Sequence, residues 1–207
     1  GARWDPIDVG ITDRDIVALV VDPIEPDTLY AATAGGGIFK SADGGGSWTN
    51  HIVPSLPPKR TFVSSLEIDP DRPGHLYAAG GQGIFLSPDQ GRRWRLVKPA
   101  AVGHLVHRHP TDPSIIYAVT EDGLLRSADE GTTWSKLYDE INLFVSGLAV
   151  STQGGETLYL ATDNGLFRGV GGAAAESWLW TPLTTEEVTG LALGDGFLYI
   201  AVGGTVR

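Results

Sequence analysis

Acidic residues in several loops are the first candidates for chemistry in this chain. Carboxylates in neighbouring loops can bind a cation, a sugar or a basic peptide, and a pair about 5 to 9.5 Å apart could cleave a glycosidic bond. Glu121 or Asp122 together with Asp163 could reach this separation, which the sequence does not fix. Carboxylates in turns are also often simply solvated, so a structural role stays open. The candidate binding residues in these loops are Arg14, Asp15, Glu121, Asp122, Tyr138, Asp163 and Glu186.

A histidine-rich segment at 104–109 is the second candidate, because it holds three of the five histidines of the chain. Alternate residues of a strand share a face, so His107 and His109 could bind a metal with a third donor, which no fixed spacing supplies. A second interpretation is a polar patch of His104, His107 and Arg108 that titrates near neutral pH. In the third, His109 replaces an aspartate that precedes proline elsewhere in the chain. All three interpretations stay open.

The elements that position these residues come from an internal repeat. The motif Ser-x-Asp-x-Gly-x-x-Trp occurs three times, and its tryptophans are 46 and 40 residues apart. In a turn, the aspartate can accept backbone N–H groups, the glycine can take a positive φ, and the tryptophan can pack on a sheet. The three copies are Ser41, Asp43, Gly45, Trp48; Ser87, Asp89, Gly91, Trp94; and Ser127, Asp129, Gly131, Trp134.

Each repeat contains four short runs of alternating apolar and polar residues separated by turn residues, and no segment has a helical period. In the first repeat these runs lie near 16–22, 28–33, 37–41 and 47–52. Four strands per repeat of this length are typical of a β-propeller blade, so we predict an all-β propeller of about five four-stranded blades. We expect a single domain, 1–207, with blade units at 8–52, 53–97, 98–137, 138–183, and 184–207 together with 1–7.

These motifs and strands, over essentially the whole chain, resemble the Asp-box (BNR-repeat) propeller family. That family includes sialidases, xyloglucan-cleaving glycosidases, sortilin-type receptors and photosystem II assembly factors. The resemblance implies that the three motifs are structural and lie at the periphery, away from the ligand channel. It also has limits, because the chain lacks the Phe-Arg-Ile-Pro segment of sialidases and offers one propeller where the xyloglucan-cleaving enzymes use two.

The two ends of the chain predict how the ring of blades closes. Residues 2–7 match the outermost strand of a blade, and residues 188–207 supply only three strands. Pairing them would close the last blade with the N-terminal strand and remove exposed sheet edges. The same pairing between two chains would give a strand-swapped oligomer instead of a monomer. A piece of a larger propeller and a designed ring are the other interpretations.

Composition limits the partners of the chain. It has 25 acidic and 15 basic residues, a net charge of −10, which disfavours nucleic acid. No apolar run is long enough for membrane insertion, and the absence of cysteine excludes thiol catalysis. We predict no metal and no other cofactor. The chain starts at Gly1 and has no methionine, which suggests a processed, excised or designed product, and a removed secretory signal would favour an extracytoplasmic location.

Propellers generally bind ligands at the mouth of the central channel, where loops of several blades meet. We therefore expect a non-catalytic binding or scaffold propeller that presents channel-mouth loops to a protein, a peptide or a glycan. The alternative is a glycoside hydrolase of the Asp-box class. A further alternative is an excised or designed propeller with no ligand.

Overall fold

The structure is a computed structural model that describes residues 5–51, 62–139, 144–171, 178–194, 196–202 and 205–206. All regular structure in these residues is β-strand. They contain no helix, so none that is long and apolar enough to cross a membrane. The predicted all-β class is confirmed.

The chain divides into two compact bodies, Gly1–Val106 and His107–Arg207, called the N-terminal body and the C-terminal body below. One strand, β7, crosses the division. The strands that begin in the N-terminal body are β1 (Ile16–Val21), β2 (Leu29–Thr33), β3 (Gly37–Ser41), β4 (Thr49–His51), β5 (Val63–Ile68), β6 (Leu76–Ser87) and β7 (Arg95–Arg108). The strands of the C-terminal body are β8 (Ile116–Thr120), β9 (Gly123–Ser127), β10 (Ser135–Tyr138), β11 (Val145–Ser151), β12 (Thr157–Thr162), β13 (Gly165–Val170), β14 (Leu179–Thr184), β15 (Val188–Gly194), β16 (Phe197–Val202) and β17 (Thr205–Val206).

Consecutive strands pair antiparallel, in the order of the sequence. We call β1–β4 blade one, β5–β6 with the start of β7 blade two, β8–β10 blade three, β11–β14 blade four and β15–β17 blade five. The first strand of a blade has a register shift at one equivalent place, at Ile16/Ala18, Val63/Ser65, Val145/Gly147 and Val188/Gly190. A bulge bends the strand at this point. The shared irregularity shows that these blades are structural repeats of each other.

Blade two departs from the expected pattern at one turn. Gly80 and Gly81 are buried inside strand β6, which runs from Leu76 to Ser87. The positive φ angles fall on the next two residues, 97° at Gln82 and 125° at Gly83. The left-handed backbone conformations of this blade therefore follow the glycine pair.

The apolar core lies between the faces of successive blades. In the N-terminal body one face of blade one packs against blade two, and in the C-terminal body blade four packs against blade five. The first cluster consists of Tyr30, Ala32, Ile38, Val63, Leu66, Leu76, Ala78, Phe85 and Trp94. The second consists of Ala161, Leu166, Val188 and Val202, with Tyr159, Leu191, Leu198 and Ile200 packed against it. Burying such side chains contributes about 1.5 to 3 kcal/mol each, so blade packing is the main source of stability.

Residues 2–4, half of the predicted closing strand at 2–7, lie outside the described residues. Residues 5–7 belong to no strand. The carbonyl of Ile7 accepts the indole N–H of Trp48 at 2.6 Å, and the carbonyl of Val9 accepts the backbone N–H of Trp48 at 2.8 Å. These contacts tie the segment to blade one. Closure of the ring, the single domain and its blade boundaries stay predictions.

Candidate functional site

The three repeated motifs form the same hydrogen-bond network. In each copy the serine hydroxyl donates to the aspartate carboxylate, at 2.7 Å for Ser41, 3.1 Å for Ser87 and 2.8 Å for Ser127. The same hydroxyl accepts the N–H of the motif glycine at 2.9, 2.9 and 2.8 Å. The serine and aspartate side chains are thus engaged within their own turn.

The motif carboxylates are also stabilised in the ionised form. Bonds from the hydroxyl and the N–H of Ser47 lower the pKa of Asp43 to about 2, and those from Thr133 do the same for Asp129. The tryptophan of the second and third copies donates its indole N–H to the motif glycine carbonyl at 3.1 Å. This geometry supports a structural role for the motifs, although their Asp-box assignment stays a prediction.

In the N-terminal body, the predicted residues Arg14 and Asp15 lie in the loop before β1. Their neighbour Asp13 fastens this loop to the turn between β2 and β3, because its carboxylate accepts the N–H of Gly35 at 2.7 Å and that of Asp15 at 3.1 Å. These bonds lower the pKa of Asp13, the bond from Asp15 most strongly. The guanidinium of Arg14 is exposed and pairs with Asp8 at 2.9 Å.

The histidine segment is divided between surface and interior. His104 is exposed, His107 is half-buried, and Arg108 and His109 are buried. The exposure of the side chains therefore decreases from His104 towards His109. Among the described residues, no group of three histidine or acidic side chains could hold a metal ion.

His109 takes the place of an aspartate in a turn. Its Nδ1 accepts the N–H groups of Thr111 at 3.3 Å and Asp112 at 3.0 Å. Asp22 accepts the N–H groups of Ile24 and Glu25 in the same way, at 2.9 and 3.0 Å. Burial lowers the pKa of His109, so the neutral ring is the form that accepts these bonds. This geometry matches the third interpretation of the histidine segment.

In the C-terminal body, the predicted acidic residues occupy neighbouring turns. Glu121 and Asp122 form the turn between β8 and β9, and Asp163 begins the turn between β12 and β13. All three residues are exposed. The hydroxyl of Thr162 holds the second turn, since it accepts the N–H of Asn164 at 3.2 Å and donates to the carbonyl of Gly165 at 2.9 Å.

Strand register places Glu186 and Tyr138 at the same edge. Leu166, just after the Asp163 turn, pairs with Thr184, two residues before Glu186. Leu124, just after the 121–122 turn, pairs with Tyr138. The ring of Tyr138 lies 6.1 Å from that of Phe167, which joins the two edges. We call the four exposed carboxylates at this edge, Glu121, Asp122, Asp163 and Glu186, the acidic rim.

A lysine beside the acidic rim pairs with a neighbouring carboxylate. The ammonium of Lys136 lies 2.7 Å from the carboxylate of Asp139. Its pKa is raised, mainly by the hydrogen bond to Asp139 and also by the negative charge of Asp122. Most of this effect comes from Asp139, which lies outside the acidic rim, and Asp122 contributes less.

An aromatic cluster behind Tyr138 was missed by the sequence analysis. The ring of Trp180 lies 4.9 Å from that of Tyr138 and 6.2 Å from that of Trp178. Its indole N–H donates to the carbonyl of Leu137 at 3.1 Å. Gly169 lets the Trp180 ring lie on the strand, since a Cβ there would come within 2.7 Å of the ring. The fourth repeat lacks the Ser-x-Asp motif but contains Gly169 and two tryptophans. This combination of a glycine and aromatic residues could have indicated the cluster from the sequence.

A buried ion pair was also missed. The carboxylate of Glu156 in blade four accepts bonds from Arg126 of blade three at 3.2 and 3.4 Å, and from the hydroxyl of Tyr117. The two charged side chains are only 8% and 15% exposed. Burial raises the pKa of Tyr117 further than the carboxylate bond does. No sequence spacing reveals this contact, because it joins residues of different repeats.

An apolar groove lies on the face of blade one opposite the face that packs against blade two. Its volume is about 320 Å³. Leu19 and Ile16 are 59% and 44% exposed there, which is unusual for large apolar residues of a strand. The lining residues are Pro6, Ile7, Asp8, Ile11, Arg14, Ile16, Leu19, Leu29, Ala31 and Trp48.

The chain matches no protein-family model. Among curated proteins, a xyloglucanase from Paenibacillus sp is 29% identical over an alignment 122 residues long, and the match covers 46% of this chain and 12% of that protein. The chain therefore spans only a small part of this curated relative. The match supports kinship with a glycosidase-like protein.

Similar solved structures include the GH74 xyloglucanase from Xanthomonas campestris, with a TM-score of 0.70, 19% identity, and coverage of 98% of this chain and 35% of that chain. YCF48 bound to D1 peptide gives a TM-score of 0.68 and 17% identity, covering 96% of this chain and 64% of that chain. The computationally designed Ika8 protein gives a TM-score of 0.61 and 15% identity, covering 92% of this chain and 57% of that chain. The chain has the β-propeller fold. At these identities the likeness concerns the fold alone.

Proposed function

We propose that this chain is a non-catalytic binding propeller whose acidic rim takes a basic segment of a partner protein. The observation that carries the proposal is the strand register of the C-terminal body. It brings Glu121, Asp122, Asp163 and Glu186 to one edge, where all four are exposed. Oppositely charged surfaces steer partners together and set which partner is accepted.

Two further observations support a peptide or protein as the ligand. The ammonium of Lys136 already forms an ion pair at this edge, 2.7 Å from the carboxylate of Asp139, as a lysine of a partner would. The similar propeller YCF48 has been solved with a bound peptide, so the fold can serve this purpose. Hydrogen bonds within the chain fix the turns that carry the rim, which limits the ordering cost of binding.

The test is a titration of fluorescein-labelled lysine-rich peptide into the full chain, followed by fluorescence anisotropy. We expect saturable binding that weakens as salt increases, because exposed charges are screened. Glu121→Gln, Asp122→Asn, Asp163→Asn and Glu186→Gln combined should lower the affinity at least tenfold.

The matched control changes four other exposed carboxylates, Asp5→Asn, Glu25→Gln, Asp27→Asn and Asp71→Asn, and alters the net charge equally. Its affinity should stay within about threefold of the wild type. Equal losses in both variants would mean that net charge alone attracts the peptide, and would contradict the proposal.

A glycoside hydrolase is the second candidate, favoured by the match to the Paenibacillus xyloglucanase. In this case Glu121 or Asp122 with Asp163 would supply the two carboxylates. Incubation with xyloglucan, followed by measurement of reducing ends, distinguishes the two functions. Release of reducing ends that Asp163→Asn abolishes would establish the hydrolase.

A further inference from the structure

Successive blades pack through two different faces, which alternate along each strand. On β2 of blade one, Tyr30 and Ala32 lie on the face that packs against blade two, whereas Leu29 and Ala31 lie on the other. We call the first the presenting face and the second the receiving face. The receiving face of blade one is the one that forms the apolar groove.

The interface between blades one and two shows which side chains pack against a receiving face. Val63, Leu66 and Leu76 of blade two pack against Tyr30, Ala32 and Ile38 of blade one, and all six belong to one buried cluster. Counted from the aspartates Asp22 and Asp69, these three residues of blade two correspond to Ile16, Leu19 and Leu29 of blade one.

The interface between blades four and five repeats this arrangement. Val188, Leu191 and Leu198 of blade five pack against Tyr159, Ala161 and Leu166 of blade four. The register shift at Val188/Gly190 matches that at Ile16/Ala18, so Val188 corresponds to Ile16 and Leu191 to Leu19. The described interfaces in both bodies therefore join a presenting face to a receiving face at equivalent residues.

Within the described residues, the N-terminal body exposes the receiving face of blade one, and the C-terminal body exposes the presenting face of blade five. On the receiving face of blade one, Ile16 is 44% exposed, whereas its equivalents Val63 and Val188 are 2% and 1% exposed. On the presenting face of blade five, Tyr199 is 42% exposed, whereas its equivalent Tyr30 is fully buried. Both open faces are apolar, and each is the complement of the other.

We propose that the receiving face of blade one docks the presenting face of blade five from a second copy of this chain. In this contact Tyr199 enters the groove beside Ile16, Leu19 and Leu29, as Tyr30 packs beside Val63, Leu66 and Leu76 within the chain. The contact is head-to-tail, so each added copy covers one open face and brings another of the same type, and assembly ends only when a ring closes. The contact does not involve the acidic rim, and Trp48 is the motif residue that lines the groove.

The test is sedimentation velocity of the full chain over a hundredfold range of concentration. We expect the average mass to rise with concentration above that of one chain. Leu19→Lys on the receiving face, or Tyr199→Lys on the presenting face, should return the chain to a monomer. Leu179→Lys, which changes a 72% exposed leucine on β14 outside both faces, should assemble like the wild type.

Mixing the two monomeric variants gives a sharper result. Each variant keeps one intact face, so an equimolar mixture should form a dimer and nothing larger, because the remaining faces carry lysine. If Tyr199→Lys loses its far-ultraviolet circular dichroism, Ala192→Lys, at an exposed position equivalent to Val20 of the presenting face of blade one, replaces it. A wild type that stays monomeric at every concentration, or a mixture that stays monomeric, would overturn the proposal.

Discussion

At the scale of single residues, the polar side chains that the sequence marks out are mostly satisfied inside their own turns. Asp43, Asp129 and His109 each accept backbone N–H groups from residues two to four positions away. Such local bonds favour turns over extended strands. They also make the stability of the fold depend on pH in ways that can be measured.

The motif aspartates predict a stability that is lost in acid. The pKa of Asp129 is 3.8 in the reference state and about 2 in the folded chain, so between these values the unfolded chain binds more protons. Its contribution is therefore complete above about pH 4 and lost as pH falls to about 2. Asp129→Asn should lower the melting temperature at pH 7, and should change it much less at pH 2. The control Asp27→Asn should shift the melting temperature little at either pH; equal shifts of Asp129→Asn at both pH values would contradict this account.

His109 predicts a second pH dependence, near neutrality. The ordinary pKa of histidine is 6.5, and burial lowers the pKa of His109 in the folded chain. The unfolded chain therefore binds the proton more readily as pH drops below about 6.5. The free energy of unfolding should thus fall below this pH. His109→Asn keeps an acceptor oxygen and should flatten the dependence between pH 5 and 7 in urea unfolding. The exposed His104→Asn serves as the control, and a flattening of the same size there would count against the role of His109.

At the scale of elements, strand positions follow well from the sequence and contacts between blades do not. The predicted runs 16–22, 28–33 and 37–41 match β1, β2 and β3 within one residue, because alternating apolar residues and turn residues act locally. The predicted rim residues also lie in turns, as expected. Glu156, by contrast, meets Arg126 from a different repeat, and no periodicity encodes that meeting.

In blade four, the Trp180 ring leaves no room for a side chain at Gly169. A Cβ there would come within 2.7 Å of the Trp180 ring, so Gly169→Ala should displace the ring and lower the free energy of unfolding by about 1 to 3 kcal/mol. Gly194→Ala is the control, because its Cβ would meet nothing closer than 3.9 Å. Tryptophan fluorescence and chemical unfolding measure both effects, and similar stability of the two variants would refute the packing argument.

Breaking the buried ion pair between blades three and four should lower the free energy of unfolding strongly. Glu156→Leu leaves the buried charge of Arg126 and the hydroxyl of Tyr117 without their shared acceptor. We expect a loss of about 3 to 5 kcal/mol in the free energy of unfolding. Asp139→Asn breaks the exposed pair with Lys136 and should change the free energy of unfolding little, because exposed ion pairs contribute little to stability. Equal losses in urea unfolding would show that the Glu156 contact is not desolvated.

At the scale of the whole molecule, charge and exposed apolar surface are the features left to explain. The net charge of −10 follows from composition, but the gathering of Glu121, Asp122, Asp163 and Glu186 at one edge depends on the pairing of strands. The exposure of Leu19 could not be predicted either, because its equivalents Leu66 and Leu191 have the same residue type and pack against a blade. Which edges and faces remain open therefore depends on contacts between strands and blades that residue types alone do not reveal.

The most direct test of the central claim is to locate the bound peptide. Nuclear magnetic resonance of the labelled chain, with a lysine-rich peptide added stepwise, reports which backbone amides change their chemical shifts. The account predicts the largest changes at residues 121–122, 163–164 and 186, with little change at 35–36 in the turn of blade one. Changes centred on any other surface, or none at saturating peptide, would contradict it.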